Sequence, residues 1–178
     1  MPEAAPAMSR SAQGSALAAM APWIVLAAVI AMLDQISKQW VMNSLHYGQV
    51  IPVTGFFDLV LVFNPGAAFS FLADHDGWQR WFFTGLATVI CGWLLALTWR
   101  HRDEKLLPIA FALIIGGALG NVYDRLVHGA VVDFLHFHYA GYSWPAFNLA
   151  DSAITVGVAL MLWGQFRHDH QPTPEKPS

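Results

Sequence analysis

Two aspartates stand where an apolar chain has least use for them. VVDF, residues 131–134, sets Asp133 behind two valines in a strand-like run, and FNLADS, residues 147–152, sets Asp151 at the head of a long apolar stretch. If the chain between them folds back at Gly141 and Pro145, the two side chains can face each other. Two carboxylates held about 3 Å apart do not both ionise easily, so they share a proton, and one then serves as base while the other serves as acid. That pairing can activate water against a carbonyl without a metal or organic cofactor. Asp151 also has a simpler reading, since Asn148 can cap a helix whose first turn holds Asp151. No capping role is evident for Asp133.

The elements that must position these groups are membrane spans. Of 178 residues, 56% are hydrophobic and only 12% charged, far from the balance of a soluble domain. Four stretches, at about 17–40, 78–99, 106–123 and 148–166, are near the roughly 20 apolar residues a bilayer crossing needs. The first is too long for the apolar core of a cleavable signal peptide and no small-residue cleavage site follows it. The expected domain is residues 17–166, with loops at 43–77 and 124–147 on the outer side and polar tails at 1–16 and 167–178, read as disordered. Arg10, Arg100, Arg102, Lys105 and Arg167 fall on one side, against Lys38, Arg80 and Arg125 on the other, which places both termini in the cytoplasm. The net charge of -3 and the lack of a basic cluster argue against nucleic acid as a partner.

Alternating span direction brings the unusual polar residues to one face. Asp34 and Lys38 end the first span, Asn121, Asp124 and Arg125 end the third, and Asn148 and Asp151 begin the fourth. Asp151 lies about 5 Å below the helix start, near the interface. Asp34 and Lys38 in DQISK are one turn apart and can pair, whether as a structural salt bridge or as part of a site. FNPGAAFS holds Asn64 before a turn through Pro65 and Gly66, and its amide can meet a peptide backbone. The glycines of GGALGNVYDR permit close helix packing, and Arg125 at this depth calls for an anionic partner. The loop after the first span reads as short strands, with Phe56, Phe57, Phe69, Phe71 and Leu72 turned to lipid or an apolar ligand. His136 and His138 alternate on one strand face with no third metal ligand obvious. The lone Cys91 sits in mid-span and excludes an intrachain disulfide.

Taken in order, DQISK, NPGAAFS, GGALGNVYDR, VVDF and FNLADS resemble the lipoprotein signal peptidases, or signal peptidase II. The resemblance implies a four-helix α-helical membrane protein of the bacterial inner membrane, with a small extracytoplasmic β-sheet cradle and a surface helix. It implies an aspartic endopeptidase that removes the signal peptide of diacylglyceryl-modified prolipoproteins, cutting before the lipidated cysteine, with no cofactor. Asp133 and Asp151 match the catalytic pair, and Asp34, Lys38, Asn64, Gly66, Asn121, Arg125 and Asn148 match substrate-binding or supporting positions. A monomer in contact with membrane lipid is the expected state. The alternative is a small proton-coupled transporter, with Asp133, Asp151, Asp124 and Arg125 as a relay.

Overall fold

The computed structural model describes residues 10–66 and 77–169, with side chains described at 17–66 and 77–166. Four helices carry the chain: α1 (Arg10–Ser44), α2 (Trp78–Arg100), α3 (Leu106–His128) and α4 (Leu149–Asp169). Each is long and apolar enough to cross a membrane. Their exteriors remain apolar, as at Val25, Val89, Trp93 and Leu162, all more than two-fifths exposed. Water does not favour that surface, whereas lipid does. Helix α1 takes in residues 10–16, which composition alone assigns to a tail.

Helix α3 packs against the other three helices and is the most buried of the four. Its glycines explain how the backbones come so close. A Cβ on Gly116 would lie 2.6 Å from the carbonyl oxygen of Ala27 in α1, and one on Gly117 would collide with the carbonyl of Ala150 in α4. Small residues at helix crossings give membrane bundles their dispersion contacts. Cys91, Leu94, Phe111 and Ile115 fill the apolar centre between α2 and α3.

Strands β1 (Val50–Pro52), β2 (Phe57–Asn64), β3 (Val131–Tyr139) and β4 (Tyr142–Ser143) form one antiparallel sheet in that order. β1 and β2 leave α1, while β3 and β4 join α3 to α4, so the sheet sits at one end of the bundle. The β2–β3 register slips between Leu59 and Val62, which lets the consecutive residues Val60 and Leu61 both turn inward. Leu61, Val132 and Phe134 then pack on Val41 and Leu45 at the end of α1. At the other end of β3, Ala140 and Gly141 both have positive φ, 50° and 84°, the two-residue primed turn that suits a hairpin. The chain returns along β3, with Phe147 bridged to Leu135, and enters α4. The surface helix has no counterpart among the described residues, and Phe69, Phe71 and Leu72 lie outside them.

Candidate active site

Asp133 is the third residue of β3 and is 1% exposed. β2 runs beside it, pairing Val62 with Asp133 and Asn64 with Val131. From there Asn64 Nδ2 donates to Asp133 Oδ2 at 3.0 Å. The amide is held in that sense because its oxygen accepts the Gly66 N–H at 2.9 Å. Gly66 has φ 110°, and a Cβ there would lie 2.6 Å from the ring of Phe83, so the turn tolerates no side chain.

Asp151 comes from the first turn of α4. The Asp151 N–H donates to Asn148 Oδ1 at 2.9 Å, and the Asn148 N–H donates to Asp151 Oδ2 at 3.3 Å. This is a reciprocal capping box with aspartate as the third helical residue. The capping role legible in the sequence is therefore real, yet the same asparagine also reaches the other carboxylate. Asn148 Nδ2 donates to Asp133 Oδ1 at 2.8 Å, and lies 3.2 Å from both the Val132 carbonyl and Asn121 Oδ1. One buried amide thus ties the two aspartates together. Asn121 completes the arrangement, donating from Nδ2 to Asp151 Oδ1 at 2.7 Å.

Burial pushes the Asp133 carboxyl up to about 7, and the neighbouring Asp151 charge adds to the effect. The amides of Asn64 and Asn148 and the more distant charge of Lys38 act in the opposite sense but do not cancel it.

Beneath this pair lies a second buried layer. Lys38 Nζ contacts Asp34 Oδ2 at 2.7 Å, Asp124 Oδ2 at 2.8 Å and Asn121 Oδ1 at 3.0 Å, which satisfies its three donors. The DQISK ion pair exists, then, but Asp124 makes it a triad. Asp34 Oδ1 also accepts the Ala150 N–H at 2.9 Å, and Asp124 Oδ2 accepts the Val132 N–H at 3.0 Å. Gln35 Nε2 donates to Asp124 Oδ1 at 2.8 Å and to the Gly120 carbonyl at 3.1 Å. The layer therefore locks α1, α3, α4 and the start of β3 to one another. Gly120 makes room for it, since a Cβ there would run into the Asp34 carboxylate.

A cavity of about 1040 Å³ opens over the two aspartates. Asn64, Gly66, Asn121, Arg125, Asp133 and Asp151 line it, whereas Asp34, Lys38 and Asn148 are fully buried behind it. Arg125 departs from expectation. Among the described residues it forms no ion pair; its guanidinium stacks 5.3 Å over Phe83 and donates to the Asn121 carbonyl at 3.3 Å, in the field of Asp151, Asp124 and Asp133. Sequence reasoning missed three contributors, Gln35 as an anchor and Phe83 and Trp144 as cavity walls, and it placed Asp124 in the polar cluster without making it a partner of Lys38. Asp124 adjoins Arg125 in the GNVYDR stretch, a signal available in advance. Phe83 and Trp144 gave none beyond their place near span ends.

His136 and His138 are spoken for by Asp58. Its Oδ2 accepts from both rings at 3.2 Å, and these bonds outweigh burial and hold the Asp58 carboxyl below the usual range.

Residues 26–167 match the family model described as signal peptidase (SPase) II. A lipoprotein signal peptidase of Azoarcus sp. (strain BH72) is 69% identical over 172 residues, covering 95% of this chain and 98% of the relative. One from Ralstonia nicotianae is 53% identical over 146 residues, covering 82% and 84%. A bacterial membrane enzyme solved by the in meso method at 2.3 Å resolution superposes with a TM-score of 0.78 at 27% identity, over 89% of this chain and 96% of that one. The chain, a multi-pass membrane protein with two carboxylates at one cavity, belongs to the signal peptidase II family.

Proposed function

We propose that this protein is an aspartic endopeptidase that removes the signal peptide from diacylglyceryl-modified prolipoproteins, cutting before the lipidated cysteine, with Asp133 and Asp151 as its catalytic pair. The observation that carries this reading is the one residue Asn148 holding both carboxylates beside one cavity, Asp133 through its side-chain amide and Asp151 through its backbone N–H, with burial raising the Asp133 carboxyl to about 7. At neutral pH such a pair shares one proton, and that proton rests on Asp133. Asp151 takes a proton from water as its oxygen bonds to the scissile carbonyl carbon, while Asp133 gives its proton to the carbonyl oxygen. In the resulting tetrahedral diol, Asp151 returns its proton to the amide nitrogen and Asp133 recovers one from a hydroxyl. The C–N bond breaks, leaving an acid and an amine, and both aspartates regain their starting states. Arg125 Nε, buried and without a hydrogen-bond partner among the described residues, is a donor available to a substrate carbonyl.

The cavity opens at the end of the bundle where the sheet lies, opposite the Arg100, Arg102 and Lys105 turn between α2 and α3. Positive charge marks the cytoplasmic side, so the site faces the periplasm and both termini the cytoplasm of a bacterial inner membrane. A diacylglyceryl group can then stay in lipid while the adjacent bond reaches the carboxylates. One chain is the working unit, because α3 is enclosed by the other helices of the same chain. A proton-relay transporter calls for ionisable groups near span centres; Asp34, Lys38, Asp124, Arg125 and Asp151 all gather at one end of the bundle.

The test is to incubate purified protein in detergent with a diacylglyceryl-modified prolipoprotein, alongside Asp133→Asn and Asp151→Asn. Cleavage before the modified cysteine should fall at least about 10³-fold in each variant, as general acid–base groups acting together require. An unlipidated precursor should resist cleavage and a chelator should change nothing. Full cleavage by either folded variant refutes the dyad.

A further inference from the structure

Trp144 lines the cavity over the aspartates and also a second groove of about 550 Å³, bounded by Phe56, Phe137, Tyr139 and Tyr142. The strand β3 joins the two sites. Its side chains alternate, so Asp133, Leu135, Phe137 and Tyr139 share one face, and at about 3.3 Å per residue the groove begins about 13 Å from the dyad.

The groove is built before anything enters it. Phe137 lies between Phe57 and Phe147, ring centroids 4.8 Å and 5.8 Å away, and its carbonyl accepts the Trp144 N–H at 2.8 Å. Across the sheet, Asp58 accepts from His136 and His138, and the Ser143 hydroxyl meets His136 Nε2 at 2.7 Å, which fastens β4 to β2 through β3. Yet Tyr139, Tyr142, Trp144 and Phe56 are 78%, 82%, 69% and 53% exposed. A contiguous aromatic patch of this kind marks a contact surface.

We propose that this groove binds the first few residues after the scissile bond, as an extended segment laid along β4. The proposal rests on the peptidase reading of the dyad. That reading also fixes which part of the substrate arrives here: the signal peptide and the lipid stay beside the helices, and the sheet lies beyond the helix ends, so the chain leaving over the sheet is the one that follows the cysteine. Among the described residues β4 pairs only with β3 and presents its other edge for backbone pairing, while the aromatic walls accept apolar or aromatic side chains and the one basic group at the groove, His138, is already paired with Asp58.

Lipopeptides identical through the cysteine, with apolar-aromatic or Asp-rich residues at the next five positions, provide the test. The wild type should show a KM about tenfold lower for the apolar-aromatic series at similar kcat, the scale of one well-buried apolar side chain. Phe56→Ser and Tyr142→Ser, neither of which touches the dyad cavity, should abolish that preference and leave cleavage of a peptide ending at the cysteine unchanged. No preference in the wild type overturns the proposal, as does a preference that survives both substitutions. So does an equal loss on every substrate, including the truncated one, which is the signature of a lipid contact. Failure of the wild type to cleave any of these lipopeptides removes the dyad reading and this proposal with it.

Discussion

Replacing Lys38 with methionine keeps most of the side-chain volume and removes one charge from the buried triad. Lys38 and Asp34 are 0% exposed and Asp124 1%. The substitution leaves two carboxylates enclosed together with their common cation gone, a change that costs about 3–5 kcal/mol when one partner of a buried pair is deleted. For a chain of this length each kcal/mol lowers the melting temperature by about 2–4 °C, so a fall of roughly 6–20 °C follows. The protein supplies its own probe. Cys91 is its single cysteine and is buried in α2, so a thiol-reactive dye added to detergent-solubilised protein reports unfolding directly. Acid should narrow the difference between variant and wild type, because a proton on either carboxylate relieves the uncompensated charge. Activity should fall further than the folded fraction explains. Lys38 fixes Asn121 Oδ1, and loss of that charge-assisted bond, worth about 1.5–3 kcal/mol, frees the amide that holds Asp151. Melting within 2 °C of wild type at neutral pH, or a deficit that widens in acid, refutes the argument.

The Asp133 carboxyl gives a pH dependence of definite sign. Its folded value of about 7 lies above the ordinary 3.8, so the folded state holds a proton that the unfolded chain has released between those pH values. Stability should therefore decline as pH rises from about 4 to 7, by up to about 4 kcal/mol, and Asp133→Asn should flatten this slope in the same dye assay. If that proton is the catalytic acid, kcat/KM falls as pH passes about 7. Asn64→Ala, which removes a donor to the carboxylate, should move this limb to higher pH; a profile level from pH 6 to 9 contradicts the assignment. Gly120→Ala drives a methyl group into the Asp34 carboxylate and should cost about 1–3 kcal/mol, measured as lower melting. Gly92→Ala, with nothing within 4 Å, is the matched control and should melt at or above wild type.

How far the site was legible depends on the range of each contact. Polar residues in apolar helices stand out because lipid tolerates them poorly, so the ends of α1, α3 and α4 announced themselves. Asn148 and Asp151 are three apart, and their capping box is a local event that spacing can reveal. The i, i+4 pairing of Asp34 and Lys38 is local as well. What joins these pieces is not. Gln35 meets Asp124, and Phe83 meets both Gly66 and Arg125, only because helices from different parts of the chain pack together. An aromatic near a span end reads the same whether it faces lipid or a cavity, so the sequence did not assign Phe83 or Trp144 to the site. Arg125 misled for a related reason: charge arithmetic asks for an anion in contact, while the structure offers an aromatic face and three carboxylates farther off.

The neutral amides between Lys38 and the aspartates have a physical purpose. A lysine touching Asp133 directly would favour its ionised form and strip the pair of its acid at neutral pH. Asn121 stands between, accepting from Lys38 on its oxygen and donating to Asp151 from its nitrogen, and Asn148 accepts the Asp151 N–H on its oxygen and donates to Asp133 from its nitrogen. Amide donors fix the position of a carboxylate and favour its charge far less than a full cation does. The buried ion triad can then supply rigidity one layer down, where Asp34 and Asp124 share the Lys38 cation, while the pair above it retains a proton to give. Neutral amides rather than a cation fix the Asp133 carboxylate, which leaves burial and the neighbouring Asp151 charge to raise it.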